Sequence, residues 1–141
     1  MNTLRAFLAH NAKKIEKQTM VVSDRFCDEN GVPVPFEYKS ITNVENAALR
    51  RASMVQKPVP GKDGQTVEEV DFDLYAAKLI ARCTLFPDLE NAELQDSYGV
   101  YSPEELIQTM LNPGEFSKYH SAILEINGFG KPANLVKEAK N

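Results

Sequence analysis

Two helix-start signals stand almost back to back in the C-terminal half of the chain, Ser102-Pro103-Glu104-Glu105 and Asn112-Pro113-Gly114-Glu115. Each joins a polar N-cap to a proline at the first helical position and a glutamate three residues after the cap. The chain must therefore close one helix and open another between them. Leu106, Ile107, Met110 and Leu111 give the first an apolar face, and Phe116, Tyr119, Ile123 and Ile126 give the second one. Asn127-Gly128-Phe129 reads as a Schellman end, with Phe129 folding back on the helix. Lys131-Pro132 then starts a last helix, Ala133 to Lys140. The preceding stretch, LQDSYGVYSPEEL, collects an acid, hydroxyls, two tyrosines and a glycine. Gly99 suits the left-handed turn that ends a helix, so these polar residues read as punctuation between helices.

Further upstream, Phe72, Tyr75, Leu79, Cys83 and Phe86 fall on one helical stripe, with Ala76 and Ile80 beside it. So wide a face predicts a buried central helix from Asp71, stopped by Pro87. A short helix follows around Ala92–Asp96. Thr42-Asn43-Val44-Glu45 is a capping box opening a helix to about Ser53, with Arg50 and Arg51 at its cation-favouring end. Met20, Val22 and Phe26, then Phe36 and Tyr38, alternate with more polar residues around the Asn30-Gly31 turn signal, which predicts a β-hairpin. Pro33 and Pro35 cannot donate to a ladder, so the early part of the second strand is expected at an edge. Residues 56–70 read as a flexible extended loop or a loose second hairpin bending at Gly61 to Gly64. At the start of the chain, Leu4, Phe7, Leu8 and Ile15 recur at helical spacing before Lys13, Lys14 and Lys17, which predicts an amphipathic helix over residues 3–17. Its stripe either packs on the chain's own core or docks on a partner.

At 141 residues the chain suits one domain, residues 1–141, that needs no metal or disulfide to hold its core. No apolar run approaches a membrane span, and the first residues lack the apolar stretch of a secretory signal, so the expected compartment is the cytosol. Cys27 and Cys83 lie far apart with no CxxC and read as small apolar residues kept reduced. The net charge of −4 hides an asymmetry: residues 1–62 hold ten Lys and Arg against six Asp and Glu, whereas residues 63–141 hold six against fourteen. An acidic half would repel phosphate, which argues against nucleic acid. Opposite halves suit a protein partner, and permit weak head-to-tail self-association.

Catalytic and ligand motifs are absent. Asp96 and Ser97 lack a GxSxG elbow or a histidine linked to them by motif. His10 and His120 have no metal spacing. Glu68, Glu69, Asp71 and Asp73 lack the DxDxDG loop of a calcium site, and Gly61, Lys62 and Gly64 lack the phosphate-loop spacing. No cofactor and no metal is expected. Tyr98 and Tyr101 fit an interface better than base stacking.

The order of segments carries more than any single residue. MNTLRAFLAHNAKKIEK, RFCDENGVPVPFEYKSIT, ARCTLFPDLENAELQDSYGV, QTMLNPGEFSKYHSAILEINGF and LVKEAKN together resemble the tail assembly chaperones of Gram-positive phages and prophage elements, the XkdN-like proteins. FPDLENAELQDSYGV and MLNPGEF are its most specific parts, and the resemblance spans essentially the whole chain. It implies a non-catalytic chaperone that binds the tape measure protein until tail-tube protein polymerises around it. It implies as further partners the tube protein itself and a frameshifted longer form of this chain. It places the protein in the host bacterial cytoplasm and leaves it out of the mature virion. The rival reading is a structural tail or baseplate component retained in the virion. The expected fold is α+β, a small antiparallel hairpin or sheet against five to six helices, with a helical C-terminal half. The candidate partner-binding residues are Leu4, Phe7, Leu8 and Ile15 on the first segment, and Tyr98 and Tyr101 at the joint.

Overall fold

The computed structural model describes residues 3–130, so the expected helix at Ala133–Lys140 lies outside the described residues. After a 3-10 turn at Thr3–Phe7 come β1 (Gln18–Met20), β2 (Phe36–Tyr38), α1 (Asn43–Ala52), β3 (Met54–Pro58) and β4 (Thr66–Val70). Then follow α2 (Phe72–Cys83), β5 (Thr84–Phe86), α3 (Ala92–Tyr98), α4 (Pro103–Met110) and α5 (Pro113–Ile126). The architecture is α+β, as the sequence predicts, with the C-terminal half dominated by helices.

The two proline-led starts act as read. Ser102 Oγ accepts the Glu105 N–H at 3.1 Å, and Asn112 Oδ1 accepts the Glu115 N–H at 2.9 Å while Glu115 Oε1 accepts the Asn112 N–H at 2.9 Å. Thr42 and Glu45 form the corresponding box on α1. The end of α5 is a Schellman motif: Gly128 N–H donates to Glu125 O and Phe129 N–H to Leu124 O, both at 3.0 Å.

These helices enclose one core. α2 buries Ala76, Ala77, Leu79, Ile80 and Cys83; α4 buries Leu106, Ile107 and Met110; α5 adds Tyr119 and Ile123. Each large side chain fully removed from water stabilises the fold by about 1.5–3 kcal/mol. Tyr119 sits at the junction with the sheet, edge-on to Phe36 at 5.2 Å and to Tyr38 at 5.7 Å between ring centroids. Thr84 Oγ1 donates to Ile80 O at 2.7 Å, so the Tyr119 hydroxyl, 2.7 Å from the same oxygen, is the donor in that pair. Burial pushes the Tyr119 phenol well above its ordinary range.

The larger sheet has the order β1-β2-β5, antiparallel throughout, and a separate hairpin pairs β3 with β4 from Met54↔Val70 to Pro58↔Thr66. Of the two forms expected for residues 56–70, the chain adopts the hairpin, with Gly61 and Gly64 at φ of 76° and 74° in its turn.

Five expectations are corrected. The early part of the second strand, expected at an edge, does not enter the three-stranded ladder at all: Pro33 and Pro35 precede β2, and only Phe36–Tyr38 pair, as the central strand. The Asn30-Gly31 turn closes a small inner loop, bridged at Cys27↔Pro33 and tied by two N–H donors to Asp28 Oδ1, and does not join β1 directly to β2. The central helix ends at Cys83, so Phe86 belongs to β5, which adds to β2 across a register shift. Phe72, at the first turn of α2, is 72% exposed, because the stripe meets the core only from Tyr75 onward. Lastly, residues 3–17 do not form a helix. Only the 3-10 turn forms, Asn11 Nδ2 donates to Arg5 O at 2.8 Å, and the chain then runs without regular structure into β1. An isolated helix of this length is marginal in water, and among the described residues Phe7 and Ile15 of this one stay exposed.

Candidate functional site

The sequence-predicted contact residues occupy two places. Leu4, Phe7, Leu8 and Ile15 lie on the N-terminal arm, where no residue of the 3-10 turn is buried. Phe7 is 79% exposed and Ile15 67%. The reading in which this stripe packs on the chain's own core is therefore overturned. Large apolar side chains scattered singly on a surface are ordinary; several on one short unpacked segment are not. Arg5, Lys13, Lys14 and Lys17 punctuate the same segment.

The second place is the joint between α3 and α4. Asn91 Oδ1 accepts the Leu94 N–H at 2.9 Å to start α3. Gly99, at φ 69°, ends it, with Gly99 N–H donating to Asp96 O and Val100 N–H to Gln95 O, both at 3.1 Å. Ser97 Oγ donates to Leu94 O at 2.7 Å, and Glu105 Oε2 accepts the Tyr101 N–H at 3.1 Å. The polar groups of this stretch thus serve helix ends. Tyr101 projects fully into solvent, 89% exposed.

Tyr98 marks a feature that motif reading missed. It lines an apolar groove of about 220 Å³. The loop between β1 and β2 supplies Phe26 and Val34, the end of β5 supplies Phe86 and Pro87, and α3 supplies Leu94 and Tyr98. Buried Phe36 and Met110 form its floor. Arg25 closes one end: its guanidinium lies 5.0 Å above the Phe26 ring, donates to Met110 O at 2.8 Å and pairs with Glu115 at 2.5 and 3.2 Å. That pairing, helped by Ser23 and the Asn112 N–H, holds the Glu115 carboxyl down at about 2. The four chain segments that meet here are far apart in sequence, which is why no local motif announces the groove. One signal was available: no Lys, Arg or His occurs between Arg82 and Lys118, whereas seven acids do.

Elsewhere the surface offers less. A larger cavity of about 320 Å³ is lined by Lys39, Lys78, Arg82, Asp88, Glu90 and Glu104, with Leu85 and Leu89 among its apolar walls. Two of its cations are already paired, Lys78 with Glu104 at 3.4 Å and Arg82 with Glu45 at 2.8 Å. His10 is exposed, and His120 is half-buried against Phe116, with burial pulling its pKa down. Cys83 is buried, with its thiol pushed up by desolvation, while Cys27 is exposed and so is no core residue. Among the described residues no group of three or more His, Cys, Asp and Glu is placed to hold a metal ion, and no helix is long and apolar enough to cross a membrane.

A search of solved structures finds the same fold in the crystal structure of the protein YqbN, with a TM-score of 0.75 and 25% identity, covering 92% of this chain and 98% of that one. By sequence, the uncharacterized protein YqbN of Bacillus subtilis (strain 168) is 28% identical over 137 residues, 96% of this chain and 91% of the relative. The phage-like element PBSX protein XkdN of the same organism is 29% identical over 140 residues, 98% of this chain and 93% of the relative. The family model described as phage XkdN-like tail assembly chaperone protein, TAC, matches residues 4–140. The chain therefore belongs to the XkdN-like tail assembly chaperone family of phages and prophage elements.

Proposed function

We propose that this protein is a non-catalytic chaperone that covers apolar segments of the tape measure protein in the host bacterial cytoplasm and is displaced when tube subunits take over the same surface. The observation that carries this reading is the N-terminal arm. It presents Phe7, Leu8 and Ile15 to solvent on a segment that adds no residue to the core cluster among the described residues. A client that exposes apolar helix faces needs a binding surface of that kind, and many modest contacts summed by valency suit an interaction that must later be undone. Tyr98 and Tyr101 offer a second contact at the joint between α3 and α4. Release by competition needs no bond to be made or broken, which accords with helix punctuation where a catalytic group would be sought.

The test is co-expression with the tape measure gene of the same phage or prophage element followed by pull-down. The wild-type chain should capture the tape measure protein, and Phe7→Glu with Leu8→Glu should lose it while the far-ultraviolet circular dichroism and melting temperature stay unchanged. Capture by the double variant at the wild-type level would overturn the role of the arm. Failure of the wild type to capture it would overturn the client.

A further inference from the structure

The N-terminal arm has the sequence of a helix and does not form one, and we infer that it folds into a short amphipathic helix on a partner helix whose apolar seam is edged by acidic side chains. The inference rests on the chaperone reading and adds to it the shape and charge of the surface the arm engages. Residues 3–17 hold Ala6, Ala9 and Ala12 and contain neither glycine nor proline. Lys13, Lys14 and Lys17 stand toward the end where cations favour a helix. In the structure only Thr3–Phe7 winds, as a 3-10 turn, and every residue from 3 to 17 is exposed. The arm joins the fold at Lys17, which pairs with Glu37 at 3.4 Å, and at Gln18, opposite Tyr38 in the sheet. A segment with this propensity and with its stripe in water gains its helix when a partner buries the stripe.

Wound as a helix, the arm presents Leu4, Leu8, Asn11 and Ile15 along one line, the d-a-d-a spacing of a coiled-coil seam. Phe7 and Lys14 then fall at the neighbouring g positions, and Arg5 and Ala12 at e. Side chains at e and g meet those of a partner helix across the seam and set which partner is accepted. The charges at these positions, Arg5 and Lys14, are both positive, and neither enters an ion pair among the described residues. A partner seam edged by Glu or Asp gains from them, and one edged by Lys or Arg is repelled. Asn11 interrupts the apolar line. In the unbound protein its Nδ2 donates to Arg5 O at 2.8 Å. In the helix it needs a polar group on the facing chain, which a protein supplies and a hydrocarbon interior does not, so the seam fits a protein partner rather than a membrane surface. The seam is short, so each contact is weak on its own, as coverage by many copies requires.

Two fluorescein-labelled amphipathic helical peptides with the same Leu seam, one carrying Glu and the other Lys at e and g, are titrated with the full-length protein and followed by anisotropy. The Glu peptide should bind about tenfold or more tightly than the Lys peptide at low ionic strength, and the difference should shrink in about 0.5 M salt as screening sets in. In isotope-labelled protein, the unlabelled Glu peptide should move the Cα chemical shifts of residues 4–15 to helical values and slow their amide exchange. Arg5→Glu with Lys14→Glu should reverse the preference. Ala6→Gly with Ala9→Gly, both turned away from the seam, should weaken the Glu peptide about tenfold or more, because glycine lowers helix propensity without removing a seam contact. Equal binding of the two peptides, a bound arm without helical shifts, or indifference to the glycine pair would overturn the inference. So would helical shifts produced by phosphatidylglycerol vesicles and not by the Glu peptide, because the arm would then fit a membrane surface. Sedimentation showing a self-associated species that Phe7→Glu with Leu8→Glu dissolves and the Glu peptide does not would overturn it too, since the arm would then belong to a second copy. If the glycine pair captures the tape measure protein as wild type does, the coupled folding falls and the chaperone reading stands. If wild type takes the Glu peptide but captures no tape measure protein, the client falls and the chemistry of the arm stands.

Discussion

Glu115 joins two jobs in one side chain, capping α5 and anchoring Arg25 over the groove's Phe26. Its folded pKa of about 2 lies below its ordinary 4.5, so its contribution is complete above pH 4.5 and is lost as pH falls through about 2. Glu115→Gln keeps an oxygen for the cap but removes the charge. This variant should be less stable than wild type at neutral pH, and its denaturation midpoint should fall less steeply between pH 4.5 and 2, measured by urea unfolding across that range. His120 acts earlier: burial lowers its pKa from an ordinary 6.5, so acidification below that value costs stability, and His120→Gln should flatten that limb alone. Gly99 offers a cleaner case. A methyl added there would meet nothing within 4 Å, so Gly99→Ala isolates the backbone cost of φ 69°. That cost is about 1–2 kcal/mol, readable as a lower urea midpoint with an unchanged slope. Gly99 and the caps at Thr42, Ser102 and Asn112 were legible in the sequence because their physics is local: a side-chain oxygen and an N–H three residues away need no tertiary context. Phe72 and Phe86 were misplaced because periodicity reports which residues share a face, and not where along the face the core begins and ends.

At the scale of elements, α2, α4 and α5 were readable because each carries both its boundary signal and its apolar face within one window. β5 was not, because its Phe86 continues the stripe of α2 in register, and its pairing partner in β2 lies far back in the chain. The arm failed for the opposite reason. Its pattern is helical, but a helix of that length holds only when its stripe is buried, and Phe7 and Ile15 stay exposed among the described residues. The arm should therefore matter to binding and not to folding. Phe7→Glu with Leu8→Glu should leave the urea midpoint within about 0.5 kcal/mol of wild type, as surface substitutions usually do. Asn112→Ala, which breaks the capping box of α5, should cost about 1 kcal/mol by the same measurement. A large loss from the arm variant together with a negligible one from the cap would reverse the division between binding and structural elements drawn here.

For the whole molecule, the distribution of charge and the distribution of apolar surface fall on different parts of the chain. The arm carries both apolar and basic side chains; the groove is apolar throughout. Each surface is small, and a groove sized for one side chain cannot alone reach the roughly 1,000 Å² that a stable protein–protein interface buries. Any single engagement is consequently weak, and lasting coverage of a long client requires many copies acting together. Weak, numerous contacts have a consequence for the finished particle. On the proposed reading, a tube subunit that buries a larger area against the same client would outcompete each copy in turn, so displacement would run to completion without an energy source. A structural tail or baseplate component would have to do the reverse and bury enough surface to survive purification. Quantitative mass spectrometry of purified, tail-complete particles separates the two, with the tube protein as internal standard. The chain should be abundant in the lysate at the time of tail assembly and fall to trace level, well below one copy per tail, in the particles. A fixed whole-number ratio to the tube or baseplate proteins after high-salt washing would show that its surfaces hold more tightly than the arm and groove allow, and that the protein is built into the tail.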